Sequence, residues 1–162
     1  MKVLIHDIAD ADRGIFAGKC DELIAADGKY APCQGCFGCW TKTPAECFMK
    51  DRLREISRVV GNADELVIIT ENCYGSYSPA VKNVLDRSIG LSTPFSSYRG
   101  RQMHHTLRYG RHGRLSVIAY GDMTEAEADT MRLFSERNAI NFGFGQAVFT
   151  HIDDPGKAAE LL

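Results

Sequence analysis

The feature that most constrains this chain is an unbroken apolar run, Leu66 to Ile69, inside the segment ELVIITEN (65–72). A strand that is apolar on both faces must be buried on both faces, as the central strands of parallel sheets are. Parallel neighbours also need long crossover connections, which are usually helices. The run therefore predicts an α/β domain in which this strand is central.

The rest of the sequence alternates between short apolar strands and helical patterns, which is typical of such a domain. Further strands are predicted at residues 2–7, 21–27, 115–121 and 146–153, and helices at 51–64, 78–91 and 124–143. Ser78 with Pro79 marks one helix start, and Thr124 with Glu127 forms a capping box at another. Five strands with right-handed crossovers predict a doubly wound parallel sheet in the order 2-1-3-4-5. No repeat or linker interrupts residues 1–162, so a single domain is expected.

Charge and hydropathy exclude several classes of protein. A net charge of −2 argues against a nucleic-acid binder, which usually carries a marked basic excess. No apolar run approaches the roughly 20 residues that span a bilayer, and the N-terminus lacks the apolar core of a signal peptide. We therefore expect a cytoplasmic protein with no membrane partner, in which six cysteines do not form a disulfide framework.

Four of those cysteines lie in one short segment, CQGCFGCWTKTPAEC (33–47). They are Cys33, Cys36, Cys39 and Cys47. A C-x2-C-x2-C run with a more distant fourth cysteine suits an iron–sulfur cluster, whereas structural zinc sites usually pair two C-x2–4-C units across a longer loop. The alternative is a tight turn at Gly35 and Gly38 with buried structural or redox-active thiols. Both interpretations stay open at this point.

The segment ENCYGSYSPAVKNVLDRSIG (71–90) resembles the flavin-contacting segment of flavodoxin-like NAD(P)H-dependent FMN reductases. The cysteine run upstream is similar to that of the iron–sulfur flavoprotein branch of this family. The resemblance implies a flavodoxin-like fold, FMN as cofactor and a [4Fe-4S] cluster on the four cysteines. It also implies an oxidoreductase in which FMN passes electrons from NAD(P)H to a quinone, flavin or other small acceptor.

The resemblance places the flavin ring against two loops that follow predicted strands. The cofactor-binding residues it implies are Asn72, Cys73, Tyr74, Gly75, Ser76, Tyr77, Ser78, Tyr120, Gly121 and Asp122. The two tyrosines of the first loop offer aromatic faces for stacking, but they are equally suited to a core or an interface. Cys73 fits either a position near the ring or plain burial, and residues 120–122 fit either ring contact or a turn before a capped helix.

The first loop departs from the family pattern. Flavodoxin-like proteins usually hold the flavin phosphate between the first strand and a long first helix, whose free N–H groups face the anion. Here the segment 7–20 offers Asp7, Asp10 and Asp12, which would repel a phosphate. The usual phosphate loop is therefore missing from the sequence.

The connection between residues 92 and 113 is poor in aliphatic side chains and runs into a basic stretch. That stretch contains Arg99, Arg101, Arg108, Arg111, Arg114, His104, His105 and His112. The planar guanidinium group of arginine can donate paired hydrogen bonds to phosphate oxygens. The stretch could therefore bind the phosphates of a nicotinamide cofactor or replace the missing phosphate loop. The alternative is a solvated crossover or an arm between subunits. The adjacent pair His104 and His105 is weak evidence for a metal.

Two functions from different classes follow. One is the flavin-dependent oxidoreductase; the other is a flavin-free, non-catalytic relative that acts through association. The final segment PGKAAELL allows only a short helix, and the first crossover is also short. Because an α/β sheet needs both faces covered, we expect a homodimer or larger homo-oligomer that uses Phe37, Trp40 or the arm 92–113.

Overall fold

The computed structural model describes residues 1–9, 14–110 and 112–162 of the chain. Its strands are β1 (Lys2–His6), β2 (Glu22–Ala25), β3 (Glu65–Glu71), β4 (Ser92–Arg99), β5 (Gln102–Leu107), β6 (Arg114–Tyr120) and β7 (Gln146–Ile152). Its α-helices are α1 (Gly38–Thr41), α2 (Ile56–Gly61), α3 (Pro79–Arg87) and α4 (Glu125–Phe142). Short 3-10 segments follow α3 (Ile89–Leu91) and β7 (Pro155–Leu161). Within the described ranges, no helix has the length and apolar character needed to cross a membrane.

Five strands form one parallel sheet in the order β2-β1-β3-β6-β7. This confirms the predicted order 2-1-3-4-5 and the doubly wound, flavodoxin-like arrangement. Strand β3 lies at the centre, where Leu66 to Ile69 are fully buried. The register places Ile5, Ile68 and Val117 side by side on β1, β3 and β6.

The two faces of the sheet are covered differently. The larger core packs three helices onto one face, through side chains such as Ile56 of α2, Val81 of α3 and Met131 of α4. On the other face, Phe16 and Ala158 cover the central strands from turns and the C-terminal 3-10 segment. Since the strand side chains on that face are buried, the uncovered centre that motivated the expected oligomer is not found among the described residues.

Both predicted helix starts are confirmed. The Ser78 hydroxyl accepts a hydrogen bond from the Val81 N–H at 3.3 Å, and Pro79 is the first residue of α3. Thr124 and Glu127 form the capping box of α4. These caps fix where two helices leave the carboxyl ends of β3 and β6, and therefore where the loops before them lie.

Local structure differs from the sequence-based expectation in two segments. The helix expected over 51–64 begins only at Ile56, because the Asp51 carboxylate accepts the Leu53 N–H at 3.0 Å and residues 51–55 turn around it. The connection 92–113, to which no strand was assigned from the sequence, forms the antiparallel hairpin β4–β5. Its strands pair only with each other and are mostly exposed, so no buried apolar run marks them in the sequence.

A buried arginine fastens the base of the cysteine-bearing segment, residues 31–51. The Arg87 side chain at the end of α3 has no exposed surface, and it donates two hydrogen bonds of 2.8 Å to Asp51. It also donates to the Ala31 carbonyl at 2.6 Å, and the Ala31 N–H donates to Asp51 at 3.1 Å. Both ends of the segment are therefore tied to the same helix terminus, in what we call the Arg87–Asp51 clasp.

The clasp predicts a pH-dependent contribution to stability. The hydrogen bonds from Arg87 lower the pKa of Asp51 to about 2, below its value in an unfolded chain. A carboxylate with a lowered folded-state pKa stabilises the fold above about pH 4, and the stabilisation, about 2 kcal/mol, disappears as the pH falls toward 2.

We expect Asp51→Asn to lower the free energy of unfolding at pH 7 by about 3 kcal/mol, because Arg87 is left buried without its counter-charge. The difference from the wild type should shrink in urea titrations between pH 5 and 3. Glu55→Gln is the control, because Glu55 pairs with Arg58 at an exposed site and should cost under about 1 kcal/mol. A pH-independent cost for Asp51→Asn would contradict the role given to the clasp.

Candidate functional site

The predicted flavin-contacting loops, residues 72–78 and 120–122, meet at the carboxyl edge of the sheet. The Asn72 N–H donates to the Tyr120 carbonyl at 2.8 Å, and its side-chain amide donates to the Asp122 carbonyl at 2.8 Å. The Asn72 side-chain oxygen also accepts the Gly75 N–H at 2.9 Å. Asn72 therefore joins the loops after β3 and β6, and four of the predicted residues lie together.

Tyr74 is the most exposed aromatic residue of this edge. Its side chain is 88% exposed, and its backbone has a φ of 54°, a left-handed conformation that costs a residue with a side chain roughly 1–3 kcal/mol. The next residue, Gly75, lies against the start of α4, where an added Cβ would meet the Glu127 carbonyl at 2.8 Å. The close contact at Gly75 and the strained backbone at Tyr74 hold an aromatic ring out in solvent.

The other residues of the first loop have mainly structural contacts. Cys73 and Ser76 are partly buried and exchange two backbone hydrogen bonds, at 3.0 and 3.1 Å. The Ser78 N–H donates to the Thr70 hydroxyl at 2.8 Å while the Ser78 side chain caps α3. Tyr77 is buried, and its ring lies 4.8 Å from that of Phe134 on α4. Burial also raises the pKa of Tyr77.

In the second loop, Gly121 has a φ of 88°. Its carbonyl accepts a hydrogen bond of 2.7 Å from Nε2 of His151. Asp122 is exposed and contributes its carbonyl to Asn72. This loop is therefore held from both neighbouring strands, β3 through Asn72 and β7 through His151.

Asp7 lies beside this loop pair, where β1 ends. Its carboxylate accepts the Glu71 N–H at 3.0 and 3.2 Å and the Tyr120 hydroxyl at 3.0 Å. Burial and the negative charge of Asp7 raise the pKa of Tyr120. Since the strand order reverses between β1 and β3, Asp7 is at the topological switch point where such sheets bind ligands. The sequence identified Asp7 only as one acid of the first loop; Asp10 and Asp12 lie outside the described residues.

A concave site separate from the paired loops adjoins the first loop through Tyr77. It is a cavity of about 540 Å³ between the cysteine segment, α3, α4 and the hairpin. Its lining includes Cys33, Cys36, Cys39, Cys47, Phe37, Phe48, Tyr77, Arg87, His105, Phe134 and Phe142. The wall of the cavity therefore combines several aromatic rings with all four clustered cysteines and some polar side chains.

The four thiols of this cavity lie within electrostatic reach of one another. The pKa of Cys39 is raised by burial and then by the charges of Cys47, Cys33 and Cys36. All six cysteines are free thiols. As they stand, no three His, Cys, Asp or Glu side chains in the described part of the chain are grouped to hold a metal ion.

Three arginines of the basic stretch, Arg99, Arg108 and Arg114, are engaged within the protein. Arg99 donates to the Ile140 and His105 carbonyls at 2.7 and 2.9 Å. Arg108 donates to the Gly90 and Trp40 carbonyls at 3.0 Å. Arg114 pairs with Glu65 at the amino end of the sheet, opposite the paired loops. These three positions favour a structural role over a phosphate clamp, and Arg111 lies outside the described residues.

The three histidines of this stretch have separate partners. Nδ1 of His104 is 3.0 Å from the Asn141 side-chain oxygen, and the His105 ring lies 4.8 Å from the Trp40 ring. The backbone N–H of His112 donates to the Gly143 carbonyl at 2.8 Å. His104 and His105 do not converge on a common site.

The residues at the paired loops fit the ring of a flavin better than its phosphate. An exposed, rigidly held tyrosine and surrounding backbone groups suit a planar aromatic ring. A phosphate would instead face Asp7, whose carboxylate already accepts the nearby N–H and O–H groups.

Comparison with solved structures supports the fold. The NAD(P)H:quinone oxidoreductase from Methanothermobacter marburgensis has 14% identity and a TM-score of 0.56, with 99% of this chain and 92% of that chain covered. General stress protein 14 from Treponema denticola, solved in complex with FMN, has 10% identity and a TM-score of 0.55, with 99% and 94% covered. The chain spans only 32% of a longer match, a flavodiiron core from Synechocystis (12% identity, TM-score 0.49, 99% of this chain covered). At these identities the likeness concerns the fold alone.

No curated protein is similar enough in sequence to match the chain. A family model does match it, that of NADPH-dependent FMN reductase, over residues 5–152. The match runs from β1 to the end of β7, so it includes the paired loops, Asp7 and the cysteine segment. The chain therefore belongs to the NADPH-dependent FMN reductase family.

Proposed function

We propose that this protein is a flavin-dependent oxidoreductase that takes electrons from NAD(P)H and passes them to a small acceptor such as a quinone or a flavin. The observation that carries the proposal is the strained, 88% exposed Tyr74 above the paired loops at the carboxyl edge. Strained residues of this kind cluster at functional sites. Family membership supplies the reaction class.

Bound flavin supplies the redox chemistry, in which hydride from NAD(P)H is accepted and electrons are passed on. The residues of the chain bind the flavin and hold its ring in position. Tyr74 offers an aromatic face, and the backbone of residues 72–78 and 120–122 lines the neighbouring surface. Asn72 keeps the two loops in one arrangement, so the binding surface exists before the ligand arrives and less conformational entropy is lost on binding.

The alternative is a flavin-free protein that acts through association. The acidic first loop is the feature that favours it. Purified protein that is colourless and binds neither FMN nor riboflavin would support this alternative over the oxidoreductase.

Replacing Tyr74 tests the flavin site. We expect Tyr74→Ala to raise the Kd for flavin about fivefold in a fluorescence titration, since stacking of aromatic rings contributes about 1 kcal/mol beyond burial. Leu133→Ala is the control, because Leu133 is a 53% exposed apolar residue on α4 outside the proposed sites. Tyr77→Phe removes only the hydroxyl of the buried ring and should leave the Kd unchanged. An unchanged Kd in Tyr74→Ala would remove Tyr74 from the site.

We also propose that Cys33, Cys36, Cys39 and Cys47 hold a [4Fe-4S] cluster. The supporting observation is that all four thiols line one cavity. The Arg87–Asp51 clasp fastens the segment that carries them, and Arg87 also lines this cavity. Four-cysteine ligation is the usual mode for such clusters. A [4Fe-4S] cluster holds its four thiolates farther apart than a single ion does, so the proposal requires no single-ion site among the described side chains.

Anaerobic reconstitution with iron and sulfide tests the cluster. We expect brown protein with about four iron atoms per chain, and thiols that resist alkylation until the iron is removed. Cys36→Ser should lose most of the iron, whereas Cys20→Ser, outside the segment, should keep it. Wild-type protein without iron after reconstitution would identify the segment as a turn with free thiols.

We further propose that the protein forms a homodimer through the hairpin, in the cytoplasm where its thiols stay reduced. The hairpin exposes Phe95, Tyr98 and Met103, at 73%, 76% and 66%. Tyr98 and Met103 pair directly across the hairpin, and exposed apolar side chains of this size mark interaction sites.

Sedimentation should therefore give twice the 17.9 kDa mass of one chain. Phe95→Asp should shift the protein toward monomer, because a charge opposes burial of the patch. Leu161→Asp, an exposed apolar position outside the hairpin, should leave the mass unchanged. A wild-type monomer at micromolar concentration would refute the dimer.

A further inference from the structure

We infer that this chain recognises the ring of its flavin and not the 5′-phosphate, and that Asp7 is the specificity-determining residue. The ligand class is then the uncharged flavin, riboflavin, bound at least as tightly as FMN. This inference rests on the proposed flavin site, but it makes a separate statement about which flavin the site selects.

The described part of the first crossover contains no α-helix that could bind a phosphate. Strand β1 ends at His6 and β2 begins at Glu22. Between them, the described residues form only a 3-10 turn at 14–16. A phosphate at a helix N-terminus is held by free N–H groups and the helix dipole. That source of donors is not available in the described part of this connection.

The donors at the switch point are already used by a carboxylate. Asp7 accepts the Glu71 N–H and the Tyr120 hydroxyl at 3.0 Å each. It is covalently part of the chain, so its effective concentration at this position exceeds that of any free ligand. An incoming phosphate would have to displace Asp7 and would be repelled by its charge.

The helices that begin at this edge have internal caps as well. At α3, the Ser78 side chain accepts the Val81 N–H. At α4, Glu127 accepts the Thr124 N–H at 2.9 Å, and its hydrogen bonds with Thr124 lower its pKa, so that it is ionised at neutral pH. A negative charge therefore already lies at the start of α4.

Several described side chains on or next to the paired loops are acidic. They are Asp7, Glu71, Asp122 and Glu127. Among the cations toward β2, Lys29 and Arg52 both pair with Asp27. Arg99, Arg108 and Arg114, which could have replaced the phosphate loop, are engaged elsewhere. The edge thus disfavours a phosphate dianion and leaves the exposed ring of Tyr74 to bind an aromatic ligand.

Parallel fluorescence titrations of the purified protein with riboflavin and FMN test the inference. The expected result is a Kd for riboflavin equal to or lower than that for FMN at 50 mM salt. Because salt screens charges, any preference for riboflavin should decrease at 500 mM salt. FMN binding more than about tenfold tighter would overturn the inference while leaving the flavin-dependent function intact. Binding of neither flavin would refute both.

Asp7→Asn tests the residue itself, since it removes the charge and keeps the shape. It should tighten FMN binding about threefold to tenfold and leave riboflavin binding within twofold. Asp64→Asn is the control, because Asp64 is an exposed carboxylate at the amino end of β3. An unchanged ratio of the two Kd values in Asp7→Asn would overturn the role of Asp7. Should that variant fail to fold, the wild-type titrations still decide the preference.

Discussion

The burial of β3 on both faces is the constraint on which the structure depends. Four consecutive apolar side chains, Leu66 to Ile69, have no exposed surface, and this requires cover from the helices on one face and from Phe16 and Ala158 on the other. Because β1 and β6 both pair with β3 in parallel, the loops after all three strands emerge at one edge. The proposed flavin site is the direct consequence: Asp7, Asn72 and Tyr120 meet because their strands do.

Much of the fold was predictable, since the signals were local and strong. The apolar run of β3 and the caps at Ser78 and Thr124 fixed three elements and, with the crossover rule, the strand order. The hairpin β4–β5 was not predictable from periodicity, because its strands are exposed and pair only with each other. The late start of α2 depended on Asp51 and Arg87, whose contact spans 36 positions and has no local signature.

The candidate site was predictable as a pair of loops but not in its detail. The sequence treats Tyr74 and Tyr77 alike, yet one is exposed with a left-handed backbone and the other packs on Phe134. The loop lies so close to α4 at position 75 that a side chain there would clash, and only a glycine fits. This contact is tertiary, so the sequence alone does not reveal the difference between the two tyrosines. The joining role of Asn72 and the position of Asp7 at the switch point likewise depend on which strands are neighbours, and they became visible only with the sheet order.

Helix α3 connects the proposed flavin site with the cysteine segment. Its N-terminus, at Ser78, ends the loop that carries Tyr74, and its C-terminus carries Arg87, which fastens the cysteine segment. Nine helical residues at 1.5 Å each give about 13 Å between these ends. One short rigid element therefore sets the separation of the proposed flavin and cluster sites, and Tyr77 belongs to the loop of one and the wall of the other. The clasp joins the C-terminus of α3 to the cysteine segment through the hydrogen bonds of the Arg87 side chain and its ion pair with Asp51, so the positions of this helix end and of the segment are set together.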